Sequence, residues 1–365
     1  MRKHYIDNLR NITILLLFPV HTFMSWNDFG FGFYVWQGGN RLLSTLIVLI
    51  NPWFMPLLFV LAGISARYSL QKRSYKEFTV QRVQKLLIPF ICGMILLVPL
   101  QTFFCRKFFF DYNGGLFENL QYFFTTFTDL SGNDGAFTPG HLWFILFLFV
   151  ISMFSLIVFK LVPYEKAVSK IESIPGWGLL LLFIPVWLMY YLGNFGGYSL
   201  GKNLALFLLG YYFLGNDKVI ETLEKNIKWL SAVWAVGIAA LGVLYWNFAY
   251  YGDLLVNYVG WTSVLVLIVF GKRHLNRKTE FTEYFNGASY PIYILHQSVL
   301  VALAYYVLQI CSIFPLQPII IAIGSFVLTV LVYHIIKPIP ILRAIIGLSL
   351  FPKRKGDKND GGKTH

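Results

Sequence analysis

The sequence alternates long apolar runs with short basic segments, and that alternation leaves little choice of solvent. A helix needs about 20 mostly apolar residues to cross a hydrocarbon core ~30 Å thick. Ten stretches approach that length, at roughly 12–26, 43–66, 86–104, 142–162, 177–192, 204–214, 229–246, 254–270, 290–310 and 318–336. The chain is 57% hydrophobic and only 13% charged, where a soluble domain is about 45–50% apolar and about 25% charged. In lipid every backbone polar group has to be satisfied internally, and runs of this length select helices. The expectation is an all-α integral membrane fold with about ten transmembrane helices. It forms one membrane domain over residues 1–350, followed by a disordered basic cytoplasmic tail over 351–365. The first run lacks a small-residue cleavage site and reads as a retained span, not a removable signal.

The placement of charge gives orientation. Net charge is +13, which in a soluble protein would suggest nucleic acid, but the basic residues are sorted by side. Segments on the side of the termini carry twenty-six Lys and Arg, against four (Arg41, Arg106, Lys107 and Lys202) on the other. The positive-inside rule then puts both termini in the cytoplasm, as in a multi-pass protein of the plasma membrane. The longest segment on the outer side, about 105–140, contains the turn signals Asn113-Gly114-Gly115 and Ser131-Gly132-Asn133-Asp134-Gly135 around an aromatic-rich piece. A loop this long is often functional, and it is placed to cover an outward-facing site with an interfacial helix between its turns. Cys92, Cys105 and Cys311 show no metal or redox spacing, and Cys105 with Cys311 is an open disulfide question. The seven His have no zinc spacing, so no metal is expected.

Ionisable residues inside spans are costly and usually face protein or a water-filled cavity. Asp7 and Arg10 open the first span, three residues apart and able to pair. His21 lies eleven residues after Arg10, which brings both to one helix face about 16 Å apart. His21 is therefore expected near mid-membrane, beside Pro19, whose missing N–H opens the helix locally. A neutral imidazole there is suited to general-base chemistry on a hydroxyl; the structural alternative is a hydrogen bond between helices. Arg82 and Lys85, just before Leu86-Leu87-Ile88-Pro89, put two cations at the cytoplasmic mouth of the third span, where a polyphosphate donor would bind. Arg67, Lys72, Arg73 and Lys76 read mainly as topological anchors. His141 and Trp143 sit at the outer face, either as aromatic-belt anchors or in contact with an acceptor. His296, six residues into the ninth span, is either a packing hydrogen-bond partner or part of the site.

Taken in order, these residues resemble acyltransferase family 3. Tyr5-Ile6-Asp7-Asn8-Leu9-Arg10 followed by His21 is similar to its Arg, ten residues, His signature. Leu57-Leu58-Phe59-Val60-Leu61-Ala62-Gly63 resembles its second-span stretch, and Arg82-Val83-Gln84-Lys85 with Pro89 its basic motif. His141-Leu142-Trp143-Phe144 and Ala288-Ser289-Tyr290-Pro291-Ile292-Tyr293-Ile294-Leu295-His296 resemble two later signatures. The likeness runs from about Tyr5 to Ile336 and is strongest to the branch that modifies periplasmic glucans with succinyl groups. It implies transfer of an acyl group, acetyl or succinyl, from cytoplasmic acyl-coenzyme A to a hydroxyl of an extracytoplasmic glycan or similar acceptor. The resemblance assigns catalysis to His21 with Arg10 and Asp7, donor binding to Arg82 and Lys85, and an acceptor-side or structural role to His141, Trp143 and His296. Two departures stand out. Lys85 replaces an Arg, losing bidentate phosphate geometry, and Ala62 replaces a Ser. Some relatives also carry an extracellular hydrolase-like domain, which is not expected here. A proton-coupled transporter or flippase is the main alternative, followed by a sensor or scaffold without chemistry; no internal repeat of the transporter kind is visible.

Overall fold

The computed structural model describes residues 3–30 and 32–348; the expected basic tail lies outside the described residues. The first apolar run folds as α1 (His4–Leu15) and α2 (Leu17–Met24), interrupted at Leu16. Pro19 lacks the N–H that would reach the Leu15 carbonyl, so the break falls where the proline predicts it. There follow α3 (Arg41–Leu70), α4 (Tyr75–Phe109), α5 (Leu116–Thr125), α6 (Gly140–Leu161) and α7 (Tyr164–Glu172). Next come α8 (Gly176–Tyr190), the two-residue strands β1 (Asn194–Phe195) and β2 (Tyr198–Ser199), and α9 (Leu200–Leu214). The chain continues through α10 (Asp217–Trp246), α11 (Asp253–His274), α12 (Glu280–Ile310), α13 (Leu316–Ile336) and α14 (Pro340–Ile345).

Among the described residues, seven helices are long and apolar enough to cross a membrane: α3, α4, α6, α10, α11, α12 and α13. The sequence expectation was about ten. The other three runs are helical but fall short of the test: α1 and α2 are two pieces, and α8 and α9 belong to the 10–17-residue class. A helix of 17 residues is only about 25 Å long, less than the ~30 Å core.

The helices are sorted by what surrounds them. The most apolar windows of α12, α3 and α11 are 72%, 67% and 61% buried, while those of α13 and α10 are only 22% and 17% buried. The first three therefore form the interior, and the last two present most of their apolar surface outward. Lipid gives no hydrophobic drive for helices to associate, so close packing of small residues takes its place. A Cβ at Gly63 of α3 would stand 2.0 Å from the Phe207 carbonyl oxygen of α9, and one at Gly210 of α9 would stand 2.2 Å from the Val60 oxygen of α3. The two glycines thus face each other's backbones across one crossing. Gly260 of α11 meets the Pro52 carbonyl of α3 in the same way, at 2.4 Å.

The two ends of the bundle are tied differently. At the end holding the N-terminus, Asn8 Nδ2 donates to the Leu275 and Arg277 carbonyls at 2.6 and 2.9 Å, and Asn11 Nδ2 donates to Asn286 at 3.0 Å. Asn11 is thus buried against α12. At the far end, Arg41 pairs with Asp28 at 2.6 Å and its guanidinium lies 3.9 Å and 3.7 Å from the Tyr245 and Phe248 ring centres. Partial burial raises the Asp28 pKa, but hydrogen bonds from Tyr245 and Arg41 outweigh it and hold the carboxyl below its ordinary value. This tie therefore stabilises at neutral pH and is lost as pH falls through the carboxylate range. All three cysteines are free, and Cys105 Sγ reaches the Asn133 carbonyl at 3.2 Å, which answers the disulfide question in the negative.

The glycine crossing is directly testable. Gly210→Ala should lower stability by about 1–3 kcal/mol through overpacking, seen as a lower melting temperature of the purified protein in detergent. Gly287→Ala, where a Cβ meets nothing within 4 Å, should leave stability unchanged or slightly improve it.

Candidate active site

The π turn at Val83–Leu87 and the proline that follows it shape the N-terminal mouth. Pro89 has no N–H for the carbonyl four residues back, that of Lys85. The Tyr290 hydroxyl of α12 donates to that carbonyl instead. Two sequence motifs far apart in the chain therefore meet at one backbone oxygen. The cations gather beside it. Arg82 is half-buried, stacks 4.5 Å from the Phe78 ring centre, and has a buried Nε without a hydrogen-bond partner. It lies close enough to Arg10 and Arg73 to feel both charges, and Lys85 feels Arg73 and Arg82. Arg73, read from the sequence as an anchor, thus belongs to the same cluster.

The nearby carboxylates are already engaged, one of them by a cation of the cluster itself. Asp7 binds Arg10 at 3.0 Å, as its spacing predicts, and Glu77 caps the start of α4 by accepting from Ser74 N at 2.8 Å. Arg10 also donates to Ser65 Oγ at 3.1 Å. Ser65 lies on α3 three residues beyond Ala62, so a hydroxyl does reach Arg10 although Ala62 has none.

Deeper in the bundle, the three histidines singled out from the sequence converge. His21 and His296 have ring centres 5.1 Å apart, as do His141 and His296. His141 and Trp143 are buried, at 5% and 8% exposure, which overturns the aromatic-belt reading of this pair. The Trp143 ring stacks on Tyr198 at 3.8 Å and 11°, and Tyr198 is held out by the β1–β2 hairpin, whose turn residues Gly196 and Gly197 both have positive φ. Glycine is favoured there because other residues rarely adopt this conformation.

The hydrogen bonds around the histidines fix where each proton sits. A carbonyl only accepts, so His296 Nδ1, 2.6 Å from the Tyr293 oxygen, carries a proton. Its Nε2 is then the acceptor in the neutral ring. In a neutral pair His21 Nδ1, 3.1 Å away, is then the donor; the His21 ring also bonds the Leu17 backbone, and a neutral His21 with its proton on Nδ1 keeps a lone pair on Nε2. His141 obeys the same logic: Nε2 donates to the Ile294 carbonyl at 2.8 Å, and Nδ1 accepts from Gln101 Nε2 at 3.1 Å. Gln101 also donates to Ser298 Oγ at 2.9 Å and accepts from Gln297 Nε2 at 3.2 Å, while Ser298 donates to the Leu97 carbonyl at 2.9 Å. The Tyr293 hydroxyl donates to the His141 carbonyl. Gln101, Gln297 and Ser298 did not emerge from the sequence, although an uncharged amide in an apolar run is itself a signal; Tyr293 entered only as part of a motif, without a role.

His21 and His141 line a cavity of about 480 Å³ that extends toward the far end of the bundle. Its walls include Asn51, Trp143, Tyr293 and Gln297, and its outer part is formed by residues of the 130–140 loop and by Tyr198. The segment between Leu116 and Thr125 is helical, as the turn signals on either side of it suggest. Leu130, at the cavity wall, has φ +65, which is strained for a bulky side chain. Among the described residues no group of three or more His, Cys, Asp or Glu side chains is placed to hold a metal ion.

The chain belongs to acyltransferase family 3: the family model for its acyltransferase domain matches residues 3–336, nearly the whole described chain. It is a membrane acyltransferase. No curated protein and no solved structure matches it at a meaningful level.

The Tyr290 contact yields a prediction independent of turnover. Tyr290→Phe leaves the Lys85 carbonyl without its donor and should cost about 1–3 kcal/mol. The expected result is a lower melting temperature with helix content intact, read by circular dichroism in detergent.

Proposed function

We propose that the protein transfers an acyl group, acetyl or succinyl, from cytoplasmic acyl-coenzyme A to a hydroxyl of an extracytoplasmic glycan. In this reading the ten apolar runs all cross the plasma membrane, with both termini inside, and the twenty-six-to-four distribution of Lys and Arg supports that orientation. The single observation that carries the reading is the Nε2 lone pair of His21, left free by the His21–His296 hydrogen bond. It belongs to a ring that lines the cavity on the acceptor side.

The donor enters at the opposite face. Arg82, Lys85 and Arg10, joined by Arg73, form a cationic mouth whose neighbouring carboxylates are already engaged. Such a cluster suits the phosphates of coenzyme A. The thioester arm then extends along α1 and α2 toward His21, about 16 Å from Arg10 by helical rise.

The chemistry needs one base. His21 Nε2 takes the proton of the acceptor hydroxyl while its oxygen attacks the thioester carbonyl carbon. Collapse of the tetrahedral adduct breaks the C–S bond, and the departing thiolate takes the proton back from His21. His296 is a positioning residue: it accepts from Nδ1, keeps Nε2 unprotonated and stabilises the imidazolium that forms. Attack by His21 itself to form a transient acyl-imidazole uses the same lone pair.

Purified protein given acetyl- or succinyl-coenzyme A and a glucan should release coenzyme A only when both substrates are present. His21→Ala should abolish release while the protein stays folded; substantial residual transfer would remove His21 from the chemistry. His296→Leu should lower kcat by about 10²–10⁴ with little change in the KM for acyl-coenzyme A. His296→Gln, whose amide oxygen can still accept from Nδ1, should recover part of that loss. Arg82→Gln should act in the converse way, raising the KM for acyl-coenzyme A more than it lowers kcat.

A further inference from the structure

Lys202 is one of four Lys and Arg on the outer side of the sequence, and it lines the same cavity as His21 and His141. It is set at the start of α9, where Ser199 Oγ accepts from the Lys202 backbone N at 3.1 Å. The positive end of the α9 dipole therefore adds to its charge. Its surroundings leave the ammonium largely unanswered. Nζ lies 5.8 Å from the Tyr190 ring centre, near the ~6 Å limit of a cation–π contact. Asp253 is the one carboxylate whose charge it feels, and that residue accepts from the Tyr191 hydroxyl at 3.5 Å and makes no ion pair with Lys202.

The remaining lining has the character of a carbohydrate site with a charge requirement. No Asp or Glu lines the cavity. Its polar groups are uncharged hydroxyls and amides, including Asn51, Ser131, Asn203 and Gln297, beside the stacked Trp143–Tyr198 pair. Aromatic faces and amide groups suit a pyranose ring of any charge. A cation enclosed without an anion is costly, and a neutral sugar offers it hydroxyl acceptors but no counter-charge. Arg41, also on the outer side, is neutralised by Asp28, which makes the contrast with Lys202 specific.

We propose that the acceptor is an anionic carbohydrate, whose phosphate or carboxylate group pairs with Lys202 while a hydroxyl of the same molecule reaches His21 Nε2. This rests on the acyltransfer reading of the site and narrows it to a substrate class. The negative group and the acylated hydroxyl are then held at separate points of one cavity, so the charge selects the acceptor and takes no part in the bond-making step. The anionic group has two chemical sources: a substituent on a soluble glycan, or the phosphate that links a sugar to a membrane lipid.

The test uses the full-length protein in lipid nanodiscs. Binding is followed by intrinsic tryptophan fluorescence without any acyl donor, and transfer is followed separately as coenzyme A release. The probes are a neutral glucan oligosaccharide, the same oligosaccharide bearing a carboxylate or phosphate, and a lipid-linked sugar phosphate. The wild type should bind one of the anionic probes about tenfold or more tighter than the neutral one. Lys202→Gln should erase that preference, and Lys202→Arg should keep it. Preference for the soluble anionic glycan or for the lipid-linked sugar each supports the proposal and names the source. Equal affinity for neutral and anionic probes, or a preference that survives in Lys202→Gln, overturns it. Failure of acyl transfer with every donor, alongside intact charge-dependent binding, would instead overturn the acyltransfer reading and leave the anionic ligand standing.

Discussion

Hydrocarbon offers no hydrogen bond, so a polar side chain carried into the bundle has to be met by another polar group there. His21, His296, His141, Gln101, Gln297 and Ser298 meet that demand among themselves and with the carbonyls of Tyr293, Ile294 and Leu97. The result is more than satisfaction of donors. Because each chain of bonds ends on a carbonyl, the tautomers of all three neutral rings follow. The same bonds set the relative positions of α2, α4, α6 and α12, which must come together for the network to close. Helix packing and the choice of tautomer therefore arise from one arrangement.

Much of this was legible in the sequence, for physical reasons. Lipid demands long apolar runs, and the most apolar of them, such as those of α3, α6 and α13, became single long helices. Runs lying near the length threshold were less secure. The first splits at Leu16 under the influence of Pro19, while α8 and α9 are short, and a hydropathy pattern does not measure helical continuity. The pairing of Asp7 with Arg10 followed from helical spacing alone. Trp143 was harder to read. A Trp at a span end suits the interface equally well, and only the hairpin carrying Tyr198 turns it into part of a cavity wall.

The residues missed share a chemical character. Searching apolar runs for ionisable groups finds histidines and arginines but passes over amides and hydroxyls, which cost less to bury and occur more often. Gln101, Gln297, Ser298 and Ser65 all belong to that class. Their roles depend on partners 40 to 201 residues away in sequence, and such pairings are invisible to local spacing. Arg73 was undervalued for a related reason: positive-inside anchoring explains a basic loop so well that it hides which of its charges face the same mouth.

The link between the two halves of the site lies in α12. Its Tyr290 hydroxyl takes the carbonyl that Pro89 leaves free at the donor mouth. Six residues on, about 9 Å by helical rise, His296 receives the proton of His21 Nδ1. Between them Tyr293 binds His296 through its carbonyl and the His141 backbone through its hydroxyl. One helix thus registers the basic mouth against the base, and the base against the wall of the acceptor cavity. A shift of α12 along its axis would disturb the Lys85 carbonyl, the His21 tautomer and the position of His141 together. That coupling gives a physical reason for the tyrosines and the histidine to sit in one short segment: the segment holds the basic mouth, the histidine pair and the cavity wall to a common geometry.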